Sequence, residues 1–114
     1  MDECIFCRIV AGQIPSQILY RDELVTAFRD IEPQAPVHVL FVPNEHLKST
    51  DELDERHETL MGRLLRAASQ VARQEGVADQ GYRLTINTGR SANQLVPHLH
   101  LHLMAGRAFG WPPG

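Results

Sequence analysis

His98-Leu99-His100-Leu101-His102-Leu103 alternates strictly between histidine and leucine. A two-residue period is the mark of a β-strand, in which successive side chains point to opposite faces. The strand expected around His98–Met104 therefore carries imidazoles on one face and leucines on the other. A leucine face must be covered, and the cover is legible upstream. Leu53, Leu60, Met61, Leu64, Ala68, Val71 and Ala72 recur at three- and four-residue spacing, one apolar stripe along a long helix. Ser49-x-x-Glu52 has the form of a capping box that would start this helix. The acidic run Asp51–Glu58 suits the positive end of its dipole, and Gly76 would end it.

Working outward, Ile18–Tyr20 and Leu24–Phe28 flank Arg21-Asp22-Glu23 and read as a hairpin. Pro33-Gln34-Ala35-Pro36 breaks any ladder and forces a loop. His38–Val42 reads as a buried strand closed by Pro43. Tyr82, Leu84 and Ile86 alternate with Arg83, Thr85 and Asn87, a half-buried strand that leads into the polar loop Thr88–Gln94. Cys4–Val10 reads as a brief helix stopped by Gly12. Short turns between strands predict an α+β fold: a five-stranded antiparallel sheet with one long and one short helix.

At 114 residues the chain is expected to be one domain, 1–114. Eleven Lys and Arg against fourteen Asp and Glu give −3, so no basic surface announces nucleic acid. No run approaches the roughly 20 apolar residues of a membrane span. The start, Met1-Asp2-Glu3-Cys4, is acidic where a signal peptide is basic, and a cytoplasmic location is expected. Cys4 and Cys7 cannot build a disulfide framework, and in a reducing compartment a Cys-x-x-Cys points to metal or redox chemistry. The redox reading lacks the βαβ pattern that would surround such a motif.

One histidine on a strand is ordinarily a packed, hydrogen-bonded residue. Three on one face are costly to bury without partners, and packing has no use for them. Neutral imidazoles could ligate a metal. They could equally work on phosphate, one attacking phosphorus while its neighbours donate to the oxygens. Side chains at i and i+2 stand about 6.5–7 Å apart. That spacing suits gripping phosphate oxygens somewhat better than enclosing one ion, and leaves both uses open.

His98-Leu99-His100-Leu101-His102-Leu103-Met104 resembles the signature of the histidine-triad (HIT) family. Phe28-Arg29-Asp30-Ile31, Pro33-Gln34-Ala35-Pro36-Val37-His38, Val42-Pro43-x-x-His46 and Trp111-Pro112-Pro113-Gly114 resemble blocks of its Hint-like branch of nucleotide-binding proteins. The resemblance implies a homodimer that binds purine nucleotides and hydrolyses nucleoside 5′-monophosphate derivatives, above all phosphoramidates, through a nucleotidyl-histidine. It makes His100 the nucleophile, with His102 donating to phosphate oxygens and His38 completing the pocket. Asp30 matches the acid that takes the ribose hydroxyls. Asn87 and Gln94 match residues near the phosphate. Phe6, Ile9, Phe28, Ile31 and Leu40 match the walls around the base. A nucleotide-binding regulatory module with incidental turnover, and a dinucleoside polyphosphate hydrolase, are the alternatives.

Cys4-Ile5-Phe6-Cys7 resembles the block of bacterial members that bind structural zinc through two cysteines, here with His46 and His98. The chain also departs from the family pattern. Leu95 and Asn93 stand where a serine and a glycine are usual, and Arg29 replaces a small or neutral residue. In the family that serine hydroxyl is placed to help the leaving group, so the resemblance implies a rate loss here on the order of tenfold or more.

Overall fold

The five expected strands form one antiparallel sheet in the computed structural model, which describes residues 3–114. They are β1 (Ile18–Arg21), β2 (Val25–Arg29), β3 (Val37–Pro43), β4 (Tyr82–Ile86) and β5 (Leu101–Ala105), in the order β1-β2-β3-β5-β4. In the hairpin turn, Asp22 Oδ1 accepts from the backbone N–H groups of Leu24 and Val25, both at 2.8 Å.

Register carries the alternation from strand to strand. Val39 pairs with Leu103 and Phe41 with Leu101, while Leu40 pairs with His102 and His38 with Met104. On the first face Val25, Ala27, Val39, Phe41, Leu101 and Leu103 are fully buried beneath the long helix α2 (Glu58–Gln74). That helix contributes Leu60, Leu64, Ala67, Ala68, Val71 and Ala72. Each large aliphatic side chain removed from water there is worth about 1.5–3 kcal/mol.

The opposite face is covered only in part. Phe6 and Ile9 of the short helix α1 (Ile5–Val10) pack on Phe28, Leu40 and Val42. Six residues of helix reach about 9 Å. Five strands at about 4.8 Å spacing are twice that width. The rest of the face stays open as a cleft.

Two expectations need correcting. The long helix does not start at Ser49. Single 3₁₀ turns at Thr50–Glu52 and Glu55–His57 precede it, and Ser49 caps only the first, accepting from the Asp51 N–H. The Glu52 carboxylate accepts from the N–H of Lys48, and the reciprocal capping box lies at Asp54 and His57. Leu53, with ψ 142°, is extended between the two turns and packs on the core from outside the helix. A capping residue serves any helical turn, so its presence at Ser49 could not fix where α2 begins.

The last strand also starts later than His98. Phe41 and Ile86 are the final residues in register with β5, at Leu101. Before that point the Leu99 N–H turns to the Leu47 carbonyl at 2.7 Å. The in-out alternation nevertheless continues: Leu99 lies in the α2-side core with Leu101 and Leu103. After β5, Gly106 (φ +94°) lies so close to Pro36 that a Cβ there would come within 2.8 Å of the proline ring, which pins the Pro33–Pro36 loop beside the strand end. No helix among the described residues is long and apolar enough to cross a membrane.

Candidate active site and metal cluster

The open part of the second face is a cleft of about 710 Å³. His38 from β3, His102 from β5 and His100 from the segment before it share this cleft with Asp30, which follows β2. Hydrogen bonds fix which nitrogen of each ring carries a proton. The backbone N–H of Gln34 can only donate, and it lies 3.0 Å from His38 Nδ1. His38 therefore holds its proton on Nε2. That nitrogen is 2.9 Å from His102 Nδ1 and 3.5 Å from the Asp30 carboxylate. His102 Nδ1 accepts, so the proton of neutral His102 is on Nε2, a donor. At His100 the order is reversed: Nδ1–H donates to the His98 carbonyl at 2.7 Å, and the Nε2 lone pair is left free.

Electrostatics keep these rings neutral. Burial lowers His100 and His38 below the ordinary histidine range, with Asp30 opposing the shift at both. Burial, together with neighbouring His100 and His38, brings His102 down to about 4. The floor of the cleft thus combines one free imidazole lone pair and one imidazole N–H, centroids 4.9 Å apart. A nucleophile beside a donor is what displacement at phosphorus requires.

Asp30, Asn87, Phe28, Ile31, Leu40, Phe6 and Ile9 also line the cleft. Phe6 meets Phe28 edge-on at 5.4 Å and His100 at 5.1 Å. Asp30 Oδ1 already accepts from the Glu32 N–H, which fixes the carboxylate's orientation. Gln94 is placed differently. Its Oε1 accepts from the Gly89 N–H at 2.9 Å, and its Nε2 donates to the carbonyls of Lys48 and Val96. The amide is spent on backbone, so Gln94 holds the loop and does not line the cleft. Arg29 lines the cleft and is ion-paired with Glu75 at 2.8 Å. Two contributors escaped sequence reasoning. Thr85, paired with His102 on the same face, was discoverable from the two-residue period of β4. The Gln34 N–H, a backbone group, leaves no trace in side-chain chemistry.

His98 belongs to a different group. Its Nδ1 lies 3.3 Å from Cys4 Sγ and 3.6 Å from Cys7 Sγ, and Cys7 Sγ lies 3.2 Å from His46 Nδ1. All four ligand atoms fall within 4.8 Å of one another. Metal–ligand bonds of about 2.0–2.3 Å at tetrahedral angles require ligand spacings of about 3.3–3.8 Å. The donor set therefore fits a tetrahedral ion. The outer nitrogen of His98 is already oriented, Nε2–H donating to the Pro43 carbonyl at 2.9 Å, as ligating histidines usually are. Burial and the adjacent Cys4 push the Cys7 thiol up to about 11, the opposite of what a redox nucleophile needs.

A HIT-domain family model matches residues 11–109. The purine nucleoside phosphoramidase of Escherichia coli (strain K12) is 48% identical over 109 residues, 96% of this chain and 92% of that protein. A 14 kDa zinc-binding protein of Zea mays is 49% identical over 112 residues, 96% of this chain and 87% of that one. The crystal structure of a HIT family hydrolase from Legionella pneumophila Philadelphia 1 superposes with a TM-score of 0.96 at 40% identity, covering 98% of this chain and 100% of that one. Matched by the family model over residues 11–109, and by a relative and a solved structure over nearly its whole length, the chain belongs to the HIT family, in its Hint-like branch.

Proposed function

We propose that the protein is a purine nucleotide-binding hydrolase that cleaves nucleoside 5′-monophosphate derivatives of the adenosine 5′-phosphoramidate type. One observation carries this reading: the His98 carbonyl holds the Nδ1–H of His100 at 2.7 Å and so leaves the Nε2 lone pair free in the cleft. His100 Nε2 attacks the α-phosphorus and forms a P–N bond. The bond from phosphorus to the leaving nitrogen breaks, its electron pair stays on that nitrogen, and a proton from water completes the amine. A second water molecule then attacks phosphorus, breaks the bond to His100 and releases the nucleoside monophosphate, and the proton it gives up neutralises the hydroxide left by the first. One water is consumed overall, and each step is easier than the direct displacement.

His102 Nε2–H donates to a phosphate oxygen, and the Gln34 N–H acting through His38 keeps that proton on the correct nitrogen. Asp30 accepts from the ribose hydroxyls, a cis diol well matched to a carboxylate. Phe6, Ile9, Phe28, Leu40 and Ile31 enclose the base, and Asn87 stands near the scissile bond. Zinc, held by Cys4, Cys7, His46 and His98, supplies folding energy as a closed structural site with no open position for water. We further read the chain as a homodimer, which sedimentation would test.

Incubation with adenosine 5′-monophosphoramidate is expected to release AMP, with a transient adenylyl adduct on His100 seen by mass spectrometry of the quenched enzyme. Binding of AMP without turnover would instead favour the regulatory module, the second reading kept alive by Leu95. AMP release that survives in His100→Ala would rule out the covalent mechanism.

A further inference from the structure

A hydrogen bond between two neutral imidazoles can run in either direction. Between His38 and His102, at 2.9 Å, it runs from His38 Nε2–H to His102 Nδ1. Reversed, it would put the His102 proton on Nδ1 and leave a lone pair on Nε2 in place of a donor. Two groups set the direction: the Asp30 carboxylate, 3.5 Å from His38 Nε2, and the Gln34 N–H, 3.0 Å from His38 Nδ1. In the hydrolase reading the ribose hydroxyls occupy Asp30, so with substrate bound the choice falls mainly to the Gln34 N–H.

Gln34 sits in the turn between β2 and β3, where residues 31–34 are all exposed. Exposed backbone with few packed neighbours opens readily unless something ties it down. The Gln34 amide bonds only within the turn, Nε2 donating to the Glu32 carbonyl. The tie to the sheet comes from the end of β5. Gly106 lies against the Pro36 ring, and Arg107 Nε–H donates to the Gln34 carbonyl at 2.9 Å. The residue held by Arg107 is thus the one whose N–H meets His38. Arg107 is exposed, yet its guanidinium is itself held: it lies 4.2 Å from the Phe109 ring centre and donates to the Ala108 carbonyl at 3.1 Å. The Arg83 guanidinium lies 5.1 Å from the same ring and donates to the Gly110 carbonyl at 2.8 Å. Arg83 pairs with Met104, and Met104 with His38, so this clasp is rooted in the row of the sheet that carries His38.

We propose that Arg107 is a positioning residue for His38: steadied by Phe109, it holds the Gln34 turn so that the N–H stays on His38 Nδ1 and a donor stays on His102 Nε2. Arg107 is not among the residues lining the cleft and acts only through the turn. Its effect on rate rests on the hydrolase reading, whereas its effect on proton placement does not.

The test reads histidine side-chain nitrogen NMR at neutral pH in the parent, Arg107→Met and Arg107→Lys, beside kcat and KM for adenosine 5′-monophosphoramidate. Methionine keeps an apolar stem for Phe109 and removes the donor, and lysine keeps a donor. In the parent, Nδ1 of His38 and of His102 are expected to give acceptor signals and both Nε2 atoms protonated ones. In Arg107→Met these signals are expected to move toward the average of the two directions. There kcat should fall about fivefold, the worth of one ordinary hydrogen bond, with KM within about twofold. Arg107→Lys should recover most of both changes. At an exposed position both variants are expected to unfold within a few degrees of the parent, and a failure to fold would make the residue structural and overturn the proposal. Mixed signals in the parent, signals unchanged in Arg107→Met, or either change without the other would overturn it too. A parent that releases no AMP would overturn the hydrolase reading, and the nitrogen signals alone would then decide this one.

Discussion

The two faces of the sheet are made by the same strands, one residue out of phase, and they are put to opposite uses. Val39, Phe41, Leu101 and Leu103 vanish beneath a helix of 17 residues. Their neighbours His38, Leu40 and His102 lie on the face that a helix of six covers only in part. The first face is closed by packing alone, and what it offers is free energy. The second is left partly uncovered, and each polar group on it needs a named partner: Gln34 for His38, His38 for His102, the His98 carbonyl for His100. A fully packed core so close beneath the histidines keeps their positions from drifting. The rigidity of one face is what the chemistry of the other depends on.

Substitutions on the two faces should therefore separate cleanly. His100→Ala is expected to reduce AMP release at least about a thousandfold, as loss of a nucleophile does, with thermal unfolding changed by only a few degrees and nucleotide affinity within tenfold. A large loss of stability in that variant would break the division between faces. Leu103→Ala, fully buried on the other side, is expected to cost about 2–5 kcal/mol in denaturant unfolding. The rate per folded molecule should stay within about threefold.

The double variant Cys4→Ser, Cys7→Ser sharpens the comparison, since the thiol cluster lies on the chemical face but is assigned a structural role. It is expected to lose zinc by metal analysis and to lower the unfolding temperature more than it lowers turnover per folded molecule. Protein purified without chelator and found free of zinc would remove that assignment. The smallest effect concerns pH. His102 sits at about 4 in the folded state against an ordinary 6.5, so the unfolded chain binds a proton between those values that the folded chain does not. Its contribution to stability is complete above about 6.5 and is lost as pH falls toward 4. Urea midpoints measured at pH 7 and pH 5 should differ less in His102→Gln than in the parent.

Strand positions were legible in the sequence because a two-residue period survives whatever a strand pairs with. That is why Leu99, Leu101 and Leu103 were correctly separated from the histidines even though the ladder stops at Leu101. Helix starts were less legible, since Ser49 and Asp54 both offer caps and only the packing of Leu60 and Leu64 decides between them. The alternation of His98, His100 and His102 could not say that His98 would turn to Cys4 and Cys7, because contacts across 91 or 94 residues leave no local mark. That pairing was expected from the family resemblance alone. Gln94 shows the limit of such a transfer: the residue type matched, but its amide is consumed by Gly89, Lys48 and Val96.

His98 has its ring among the thiols and its carbonyl beneath His100. The two ends of this residue meet at one Cα, with the ring anchored by its Nε2–H to the Pro43 carbonyl and the carbonyl engaged by His100 Nδ1–H. Any effect that occupancy at the thiols had on binding in the cleft would, by linkage, have the same value read from either side. An ion held there would fix the ring of the residue whose carbonyl accepts from His100. The distance between the thiol cluster and the cleft histidines is the length of one amino acid.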